Sequence, residues 1–175
     1  MPKMDIQSND FDLFGVPATF EQDVSLLDAR WKELQRNAHP DRFAAQGAAA
    51  QRLAMQWSIR INEANRRLRS PLKRAAYLCE LNGAPISAET NTAMPPAFLM
   101  QQMEWREALD EASDREAVEA LGAEVDEARK AAIAQCAFLI DRQKDFPAAA
   151  DQVRALMFLA RFADDIDARR SLAGQ

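Results

Sequence analysis

The stretch Asn37-Ala38-His39-Pro40-Asp41-Arg42-Phe43 decides how the first half of this chain is arranged. Pro40 cannot continue a helix, because it has no amide donor and its ring clashes with the preceding turn. Pro40 also biases His39 toward an extended backbone. We therefore expect a loop in which His39 and Asp41 flank a rigid ring. Taken alone, three residues are equally consistent with an ordinary turn in which Asp41 accepts a local backbone hydrogen bond.

Helical patterns flank this loop on both sides. Asp23 suits the N-cap of a helix that runs into the loop, and Gly47 marks the start of a helix that runs out of it to about Arg69. Each helix has one apolar stripe at helical spacing. The stripes consist of Val24, Leu27, Trp31, Leu34 and Ala38, and of Leu53, Trp57, Ile61, Ala64 and Leu68. Because the stripes match in length, we expect an antiparallel hairpin with the loop at its tip.

Three cations on the first of these helices are candidates for binding an acidic partner. Lys32 and Arg36 point away from the apolar stripe, and Arg30 lies at its margin. Asp28 and Glu33 interrupt the positive face, so the basic signal is modest.

Shorter helices and a linker complete the predicted organisation. Gly15 and Pro17 stop a first helix over residues 10–14, and Pro71 opens a fourth that Asn82-Gly83 closes. Residues 84–96 mix Pro, Ser, Thr and Asn with little periodicity, which is typical of a linker. The remainder predicts a bundle of three helices, at residues 97–112, 114–143 and 147–172.

Composition favours an all-α protein. The 175 residues include only 5 Gly and 8 Pro, and Ala, Leu, Glu, Arg and Gln are abundant. No window approaches the roughly 18 apolar residues of a membrane span, and the N-terminus does not resemble a signal or transit peptide. We therefore expect a cytoplasmic protein that does not bind membranes.

Charge and cysteine content exclude other classes. Residues 1–80 hold 12 Lys and Arg against 10 Asp and Glu, whereas residues 81–175 hold 10 against 17. Two halves of opposite sign suggest two different partners, and the first half is too weakly basic to indicate nucleic acid. Cys79 and Cys136 are isolated and there is a single His, so we expect no metal site and no cofactor.

The first helix of the second half has apolar residues on two faces, which an ordinary surface helix does not. One stripe consists of Phe98, Trp105, Leu109 and Ala112, and the opposite one of Leu99, Met100 and Met103, bordered by Glu104, Glu107 and Glu111. On the last helix, Phe158 lies opposite the stripe of Val153, Leu156, Ala160, Ala163 and Ile166. Such helices are either buried on both sides or carry a partner site. The glutamates favour a partner site containing Leu99, Met100, Met103 and Phe158.

The hairpin with His39-Pro40-Asp41 at its tip resembles the J-domain of DnaJ-type co-chaperones, and the whole chain resembles the iron–sulfur cluster co-chaperone family HscB, in its bacterial form. The resemblance extends in order over nearly the whole chain, through the motifs Leu13-Phe14-Gly15-Val16-Pro17, Leu34-Gln35-Arg36-x-x-His39-Pro40-Asp41-Arg42-Phe43, Ile61-Asn62-x-Ala64-x-x-x-Leu68-x-x-Pro71-Leu72-x-Arg74-Ala75-x-Tyr77-Leu78 and Ala97-Phe98-Leu99-Met100-x-Gln102-Met103-Glu104-x-Arg106-Glu107-x-Leu109-Asp110-Glu111. Two positions depart from the family pattern. Ala38 replaces the usual aromatic residue, and Arg42 replaces the commoner Lys.

The resemblance implies a J-domain over residues 1–83, a linker over 84–96 and a C-terminal bundle over 97–175. It implies that the J-domain stimulates a DnaK-family (HscA-like) ATPase through His39, Pro40 and Asp41, helped by Arg30, Lys32 and Arg36. It further implies that the bundle delivers an iron–sulfur scaffold protein (IscU-like) to that ATPase. The corresponding surface would comprise Leu99, Met100, Met103, Glu104, Glu107, Glu111 and Phe158.

Two other functional classes compete with this adaptor. An enzyme with His39 as general base would need a nucleophile and a shaped pocket, and no second motif supplies them, so we assign no catalytic residue. A generic J-protein that holds unfolded clients on a Met-rich patch would share every feature of the J-domain. Only the second domain discriminates, and a two-stripe helix with an acidic border suits one folded client better than many unfolded ones.

Overall fold

The computed structural model describes residues 5–87 and 94–173, and every regular element within them is helical. The predicted all-α class is confirmed. None of these helices combines the length and the hydropathy needed to cross a membrane. The α-helices are α1 (Asp10–Phe14), α2 (Val24–Ala38), α3 (Ala48–Arg69), α4 (Pro71–Leu81), α5 (Pro96–Glu111), α6 (Arg115–Ala137) and α7 (Phe146–Ala173). A 3-10 turn, Pro40–Gln46, joins α2 to α3, and a π-helical turn, Phe138–Arg142, follows α6.

The chain divides into two compact units, and the boundary lies between Leu78 and Cys79. The sequence predicts this boundary at residue 83, but the end of α4 and the segment through Ile86 belong to the second unit. Ile86 is buried, and its carbonyl accepts a hydrogen bond of 2.8 Å from the buried guanidinium of Arg154. A buried cation requires such an acceptor, which holds the beginning of the predicted linker in place. Part of that linker, residues 88–93, lies outside the described residues.

The helical hairpin of the first unit is present as predicted. Asp23 caps α2 by accepting hydrogen bonds from the amides of Ser25 and Leu26. Three contacts set the register between α2 and α3, in which Asp28 meets Arg69, Trp31 meets Asn62 and Gln35 meets Ser58. Residue numbers rise along α2 while they fall along α3, so the two helices run antiparallel.

Half of the ten predicted stripe residues are buried and three more are partly buried, but Val24 and Leu53 are exposed. Val24 is 61% exposed and Leu53 is 54% exposed, so their assignment to the core was wrong. The pairing of Asp28 with Arg69, the last residue of α3, leaves Val24 one turn beyond the end of its partner helix. Leu53 lies at the other end of the hairpin, where the small side chain of Ala38 cannot cover it.

A buried ionic cluster attaches α1 to the hairpin. Asp10 has no exposed surface, and its two carboxylate oxygens lie 2.8 Å from Arg60 Nη2 and 3.0 Å from Arg67 Nε. The amide of Asp10 donates to the hydroxyl of Tyr77 at 3.0 Å, and the guanidinium of Arg67 lies over the Tyr77 ring at 4.4 Å. Burial raises the pKa of Tyr77 and keeps the hydroxyl protonated. Helices α1, α3 and α4 therefore share one polar centre.

Four aromatic rings hold α5 against α7 in the second unit. Phe98 meets Phe158 edge to face at 5.8 Å, and Phe158 stacks on Phe162 at 5.6 Å. Phe162 stacks in turn on Trp105 at 6.3 Å, and the Trp105 indole donates to Glu124 of α6 at 3.1 Å. Ring pairs with this geometry add to the free energy of simple burial.

This packing overturns the predicted exposure of Phe158. Only 8% of Phe158 is exposed, because α7 is covered on two sides and its buried residues span a wide arc. For α7 the alternative of a helix buried on both sides is therefore correct. The buried residues of α7 include Val153, Leu156, Ala155, Phe158, Leu159, Phe162 and Ile166.

Both cysteines are free and buried in the second unit. Burial raises the pKa of the Cys79 thiol to about 11 and that of the Cys136 thiol to about 12. Both thiols are therefore protonated and unreactive at neutral pH. Among the described residues, no cluster of His, Cys, Asp and Glu could hold a metal ion.

We expect Asp10→Asn to destabilise the first unit strongly, because the two arginines would lose the charge that balances them. Removing one partner of a buried ion pair costs about 3–5 kcal/mol, which corresponds to a fall in melting temperature of about 10 °C or more. Thermal unfolding followed by circular dichroism measures this. Asp12→Asn, at an exposed position of the same helix, is the matched control. Equal melting temperatures for the two variants would show that the cluster does not stabilise the fold.

We expect Phe158→Ala to destabilise the second unit by about 3–5 kcal/mol, because it removes the ring between Phe98 and Phe162. Met103→Ala should change stability little, since Met103 is 71% exposed. Urea denaturation of the two variants compares them directly. Similar midpoints would contradict the buried position of Phe158.

Candidate functional site

The loop between α2 and α3 holds the backbone of Asp41 and leaves its carboxylate exposed. The backbone of His39 is extended, with φ −63° and ψ 128°, as Pro40 predicts. His39 Nδ1 accepts a hydrogen bond from the Asp41 amide at 3.2 Å and so caps the 3-10 turn. Because Nδ1 is the acceptor, the neutral imidazole carries its proton on Nε2.

The carboxylate of Asp41 is available to a partner. The Asp41 side chain is 92% exposed, and its Oδ2 lies 3.6 Å from His39 Nδ1, too far for a hydrogen bond. Within the described part of the chain, no group donates a hydrogen bond to this carboxylate. The backbone of the turn therefore fixes the position of a carboxylate that can accept hydrogen bonds from a partner.

Arg42 anchors the loop to the end of α2. Its Nη1 donates to the carbonyl of Arg36 and to the side-chain oxygen of Asn37, each at 3.3 Å. A cation at a helix C-terminus also interacts favourably with the helix dipole. From the sequence alone Arg42 was assigned no role, although a cation a few residues beyond a helix end is a known capping signal.

An apolar pocket of about 310 Å³ lies beside the loop. It exists because Ala38 contributes only a methyl group at the end of α2, which leaves Leu53 half exposed. The residues that line it are Asn37, Ala38, Phe43, Gln46, Ala50, Leu53, Ala54 and Trp57. The loop is therefore held by polar bonds on one side and borders an open apolar space on the other.

The three cations predicted on α2 differ in whether a neighbouring carboxylate already pairs with them. Lys32 forms an ion pair of 2.9 Å with Asp28 and lowers the pKa of that carboxyl. Arg30 lies 3.8 Å from Glu33, a long contact between exposed groups. Arg36 has no ion pair among the described residues, so its guanidinium is the most available of the three.

A second candidate surface lies on α5 in the second unit. Leu99, Met100 and Met103 are 44%, 63% and 71% exposed, and they lie on the face opposite the buried Trp105. The neighbouring Glu104, Glu107 and Glu111 are exposed as well. The structure thus places six of the seven predicted residues of this surface at the exterior.

Phe158, the seventh, lies beneath α5. The guanidinium of Arg106 covers its ring at 5.5 Å, and Phe98 packs against its edge. Phe158 therefore positions α5 and offers almost no surface of its own. On a helical wheel, Phe158 and Met103 both look like surplus apolar residues, so only tertiary packing could separate them.

Comparison with known proteins identifies relatives over almost the full length. The family model described as "HSCB C-terminal oligomerisation domain" matches residues 94–167. A co-chaperone protein HscB homolog of Bordetella petrii is 50% identical over 161 residues, covering 91% of this chain and 95% of the relative.

Two solved structures have the same fold. Chaperone HscB from Vibrio cholerae superposes with a TM-score of 0.81 at 35% identity, covering 94% of this chain and 99% of the other. The human co-chaperone protein HscB superposes with a TM-score of 0.88 at 26% identity, covering 95% and 84%. The chain therefore belongs to the HscB family of J-domain co-chaperones.

Proposed function

We propose that this protein carries an iron–sulfur scaffold protein (IscU-like) to a DnaK-family ATPase chaperone (HscA-like) and stimulates ATP hydrolysis by that chaperone. The first unit docks on the ATPase through His39, Pro40 and Asp41, together with Arg30, Lys32 and Arg36. The second unit binds the scaffold through the exposed face of α5. Membership of the HscB family supports this division of labour.

The exposed Asp41 carboxylate is the observation that carries the proposal. A carboxylate whose backbone is fixed loses little conformational freedom when it binds, so a charge-assisted hydrogen bond to an arginine of the ATPase is favourable and directional. His39 and Arg42 hold the turn in this geometry. Pro40 stops α2 from continuing through the loop.

The cations of α2 act mainly on the approach of the two proteins. Exposed charges in high dielectric contribute little to the final affinity, but they accelerate encounter with an acidic surface. Arg36 contributes most, because Lys32 and Arg30 are partly neutralised by Asp28 and Glu33.

The apolar face of α5 suits a folded scaffold protein. Covering one Leu or Met side chain fully is worth about 1.5–3 kcal/mol, so three partly exposed ones can support micromolar binding after the costs of association. The exposed glutamates beside them favour a partner with basic residues around an apolar centre. A compact surface on one helix is less suited to extended, unfolded clients.

We expect Asp41→Asn to abolish stimulation of the ATPase chaperone while leaving the fold intact. The substitution preserves shape and the backbone bond to His39 and removes only the charge. Steady-state ATP hydrolysis by the chaperone, with and without the variant, measures the effect, and circular dichroism checks the fold. Asp12→Asn, at another exposed acid of the first unit and outside the docking residues, should stimulate normally.

Stimulation by Asp41→Asn at the wild-type level would refute the role of this carboxylate.

Association kinetics of the wild-type protein test the cations in the same system. The association rate should fall as salt rises, because exposed charges are screened over about 8 Å at physiological ionic strength. A rate that does not depend on salt would assign these cations to solvation alone.

We expect the triple variant Leu99→Ala, Met100→Ala and Met103→Ala to lose binding to the scaffold protein, measured by titration calorimetry. Because the three side chains are exposed, its melting temperature should stay within a few degrees of the wild type. The variant should still stimulate the ATPase through the first unit.

Leu172→Ala is the matched control, since Leu172 is a 67% exposed apolar residue of the same unit on a different helix. It should bind the scaffold normally. Full binding by the triple variant would remove α5 as the scaffold surface.

A further inference from the structure

The apolar pocket beside the loop is open because three alanines meet in it. Ala38 is the last residue of α2, and the chain turns away at Pro40, so no further turn of α2 follows over this space. Ala50 and Ala54 face the pocket from α3, one helical turn apart. The volume of about 310 Å³ is ample for an organic ring system, since an engineered apolar cavity of about 150 Å³ binds benzene.

Two aromatic rings form part of the pocket wall. Phe43 belongs to the turn Pro40–Gln46 and Trp57 to α3, and both are only partly buried. Aromatic rings of the second unit pack on one another, as Phe158 does on Phe162. Phe43 and Trp57, by contrast, take part in no ring pair within the described residues. A planar ring in the pocket therefore gains contacts that these two rings do not make within the chain.

Two side-chain amides supply the polar groups of the pocket. The side-chain oxygen of Asn37 already accepts a hydrogen bond from Arg42 Nη1 at 3.3 Å. The side-chain amide of Gln46 has no hydrogen-bond partner among the described residues, so its oxygen can accept from an N–H or O–H group of a ligand. None of the described residues that line the pocket is charged. The pocket therefore suits a neutral ligand, because a charged one would lose hydration without gaining an ionic partner.

We propose that this pocket binds a small neutral aromatic molecule with two fused rings and one N–H or O–H donor, for which indole is the simplest probe. The rings fill the space beside Ala38, between Phe43 and Trp57, and the donor binds the amide oxygen of Gln46. Pockets that hold small molecules combine apolar walls with a few polar groups in this way. The site is independent of the function proposed above, because the carboxylate of Asp41 is not part of its lining.

The open side of the pocket limits the affinity. Burial of the rings is the main favourable contribution to binding, but Leu53 at the pocket is 54% exposed, so the ligand is only partly covered. A ligand of about nine non-hydrogen atoms should then bind with a dissociation constant of about 0.1–1 mM. Cyclohexanol, a saturated ring with a hydroxyl group, cannot form ring pairs with Phe43 and Trp57. It should bind at least about fivefold more weakly than indole.

The test is a titration of the isotope-labelled, full-length protein with indole, followed by NMR chemical shifts. The changes should saturate, and they should be largest for the backbone amides of Ala38 and Leu53 and for the side-chain N–H of Trp57. Shifts that do not saturate, or that are largest at Trp105 in the second unit, overturn the proposal. Binding of cyclohexanol as tight as that of indole overturns the assignment of an aromatic ligand.

Two variants reduce the pocket from opposite sides. Ala38→Tyr places a ring in the space from α2, and Ala50→Leu extends a side chain into it from α3. Each should weaken the binding of indole about tenfold or more, because the added atoms occupy the volume that the ligand needs. Ala49→Leu is the matched control, since Ala49 is exposed, adjoins Ala50 and does not line the pocket. It should bind indole with wild-type affinity.

Thermal unfolding shows whether each variant remains folded. Ala38→Tyr should raise the melting temperature by a few degrees, because it fills an open space in the first unit. If Ala38→Tyr instead unfolds the protein, the comparison of Ala50→Leu with Ala49→Leu decides the outcome. Wild-type affinity in Ala50→Leu, or an equal loss of affinity in both leucine variants, overturns the pocket as the binding site.

Discussion

The carboxylate of Asp10 lies wholly inside the first unit, where a lone charge would be strongly unfavourable, and two arginines of α3 balance it. Through its amide it also binds Tyr77 of α4. Helix α1 has only five residues and could not hold a fixed position by its own hydrogen bonds. This ionic cluster, with the apolar anchors Phe11 and Phe14, therefore fixes the base of the hairpin, and the loop at the far end depends on that rigidity.

Stability and binding are divided between different atoms of the same short segments. In the loop, the backbone and the side chains of His39 and Arg42 make the internal hydrogen bonds, and the carboxylate of Asp41 accepts none. In α5, Phe98 and Trp105 hold the helix on its bundle, while Leu99, Met100 and Met103 remain outside. The exposed groups can therefore bind a partner without loss of stability, because they make no contacts that hold the fold together.

The features that were predicted correctly from the sequence depend on interactions between residues close together in the chain. The ends of α1, α2 and α6 follow from caps such as Gly15, Asp23 and Asp114, whose effect is confined to one helical turn. The apolar face of α5 was also predicted, because glutamates beside it argue against burial. Family resemblance pointed to the functional residues of the loop between α2 and α3. The geometry of that loop, including the tautomer of His39 and the anchoring by Arg42, required the structure.

The features that sequence reasoning missed depend on contacts between distant residues. Nothing near Asp10 shows that Arg60 and Arg67 surround it, and a surface helix would have the same local pattern. Phe158 is buried because α7 is covered on two sides, which periodicity within one helix cannot reveal. The bond between Arg154 and the carbonyl of Ile86, 68 residues apart, likewise leaves no sign in the local sequence pattern.

The exposed methionines have a consequence for oxidative chemistry. Met100 and Met103 on α5 and Met55 on α3 are largely exposed side chains, whereas Cys79 and Cys136 are buried with protonated thiols. Oxidants therefore reach the methionines before the cysteines. Conversion to the sulfoxide makes a flexible apolar side chain polar, and methionine sulfoxide reductases reverse it. The α5 surface proposed for the scaffold protein is thus open to reversible oxidation, whereas the cysteines inside the same bundle are protected.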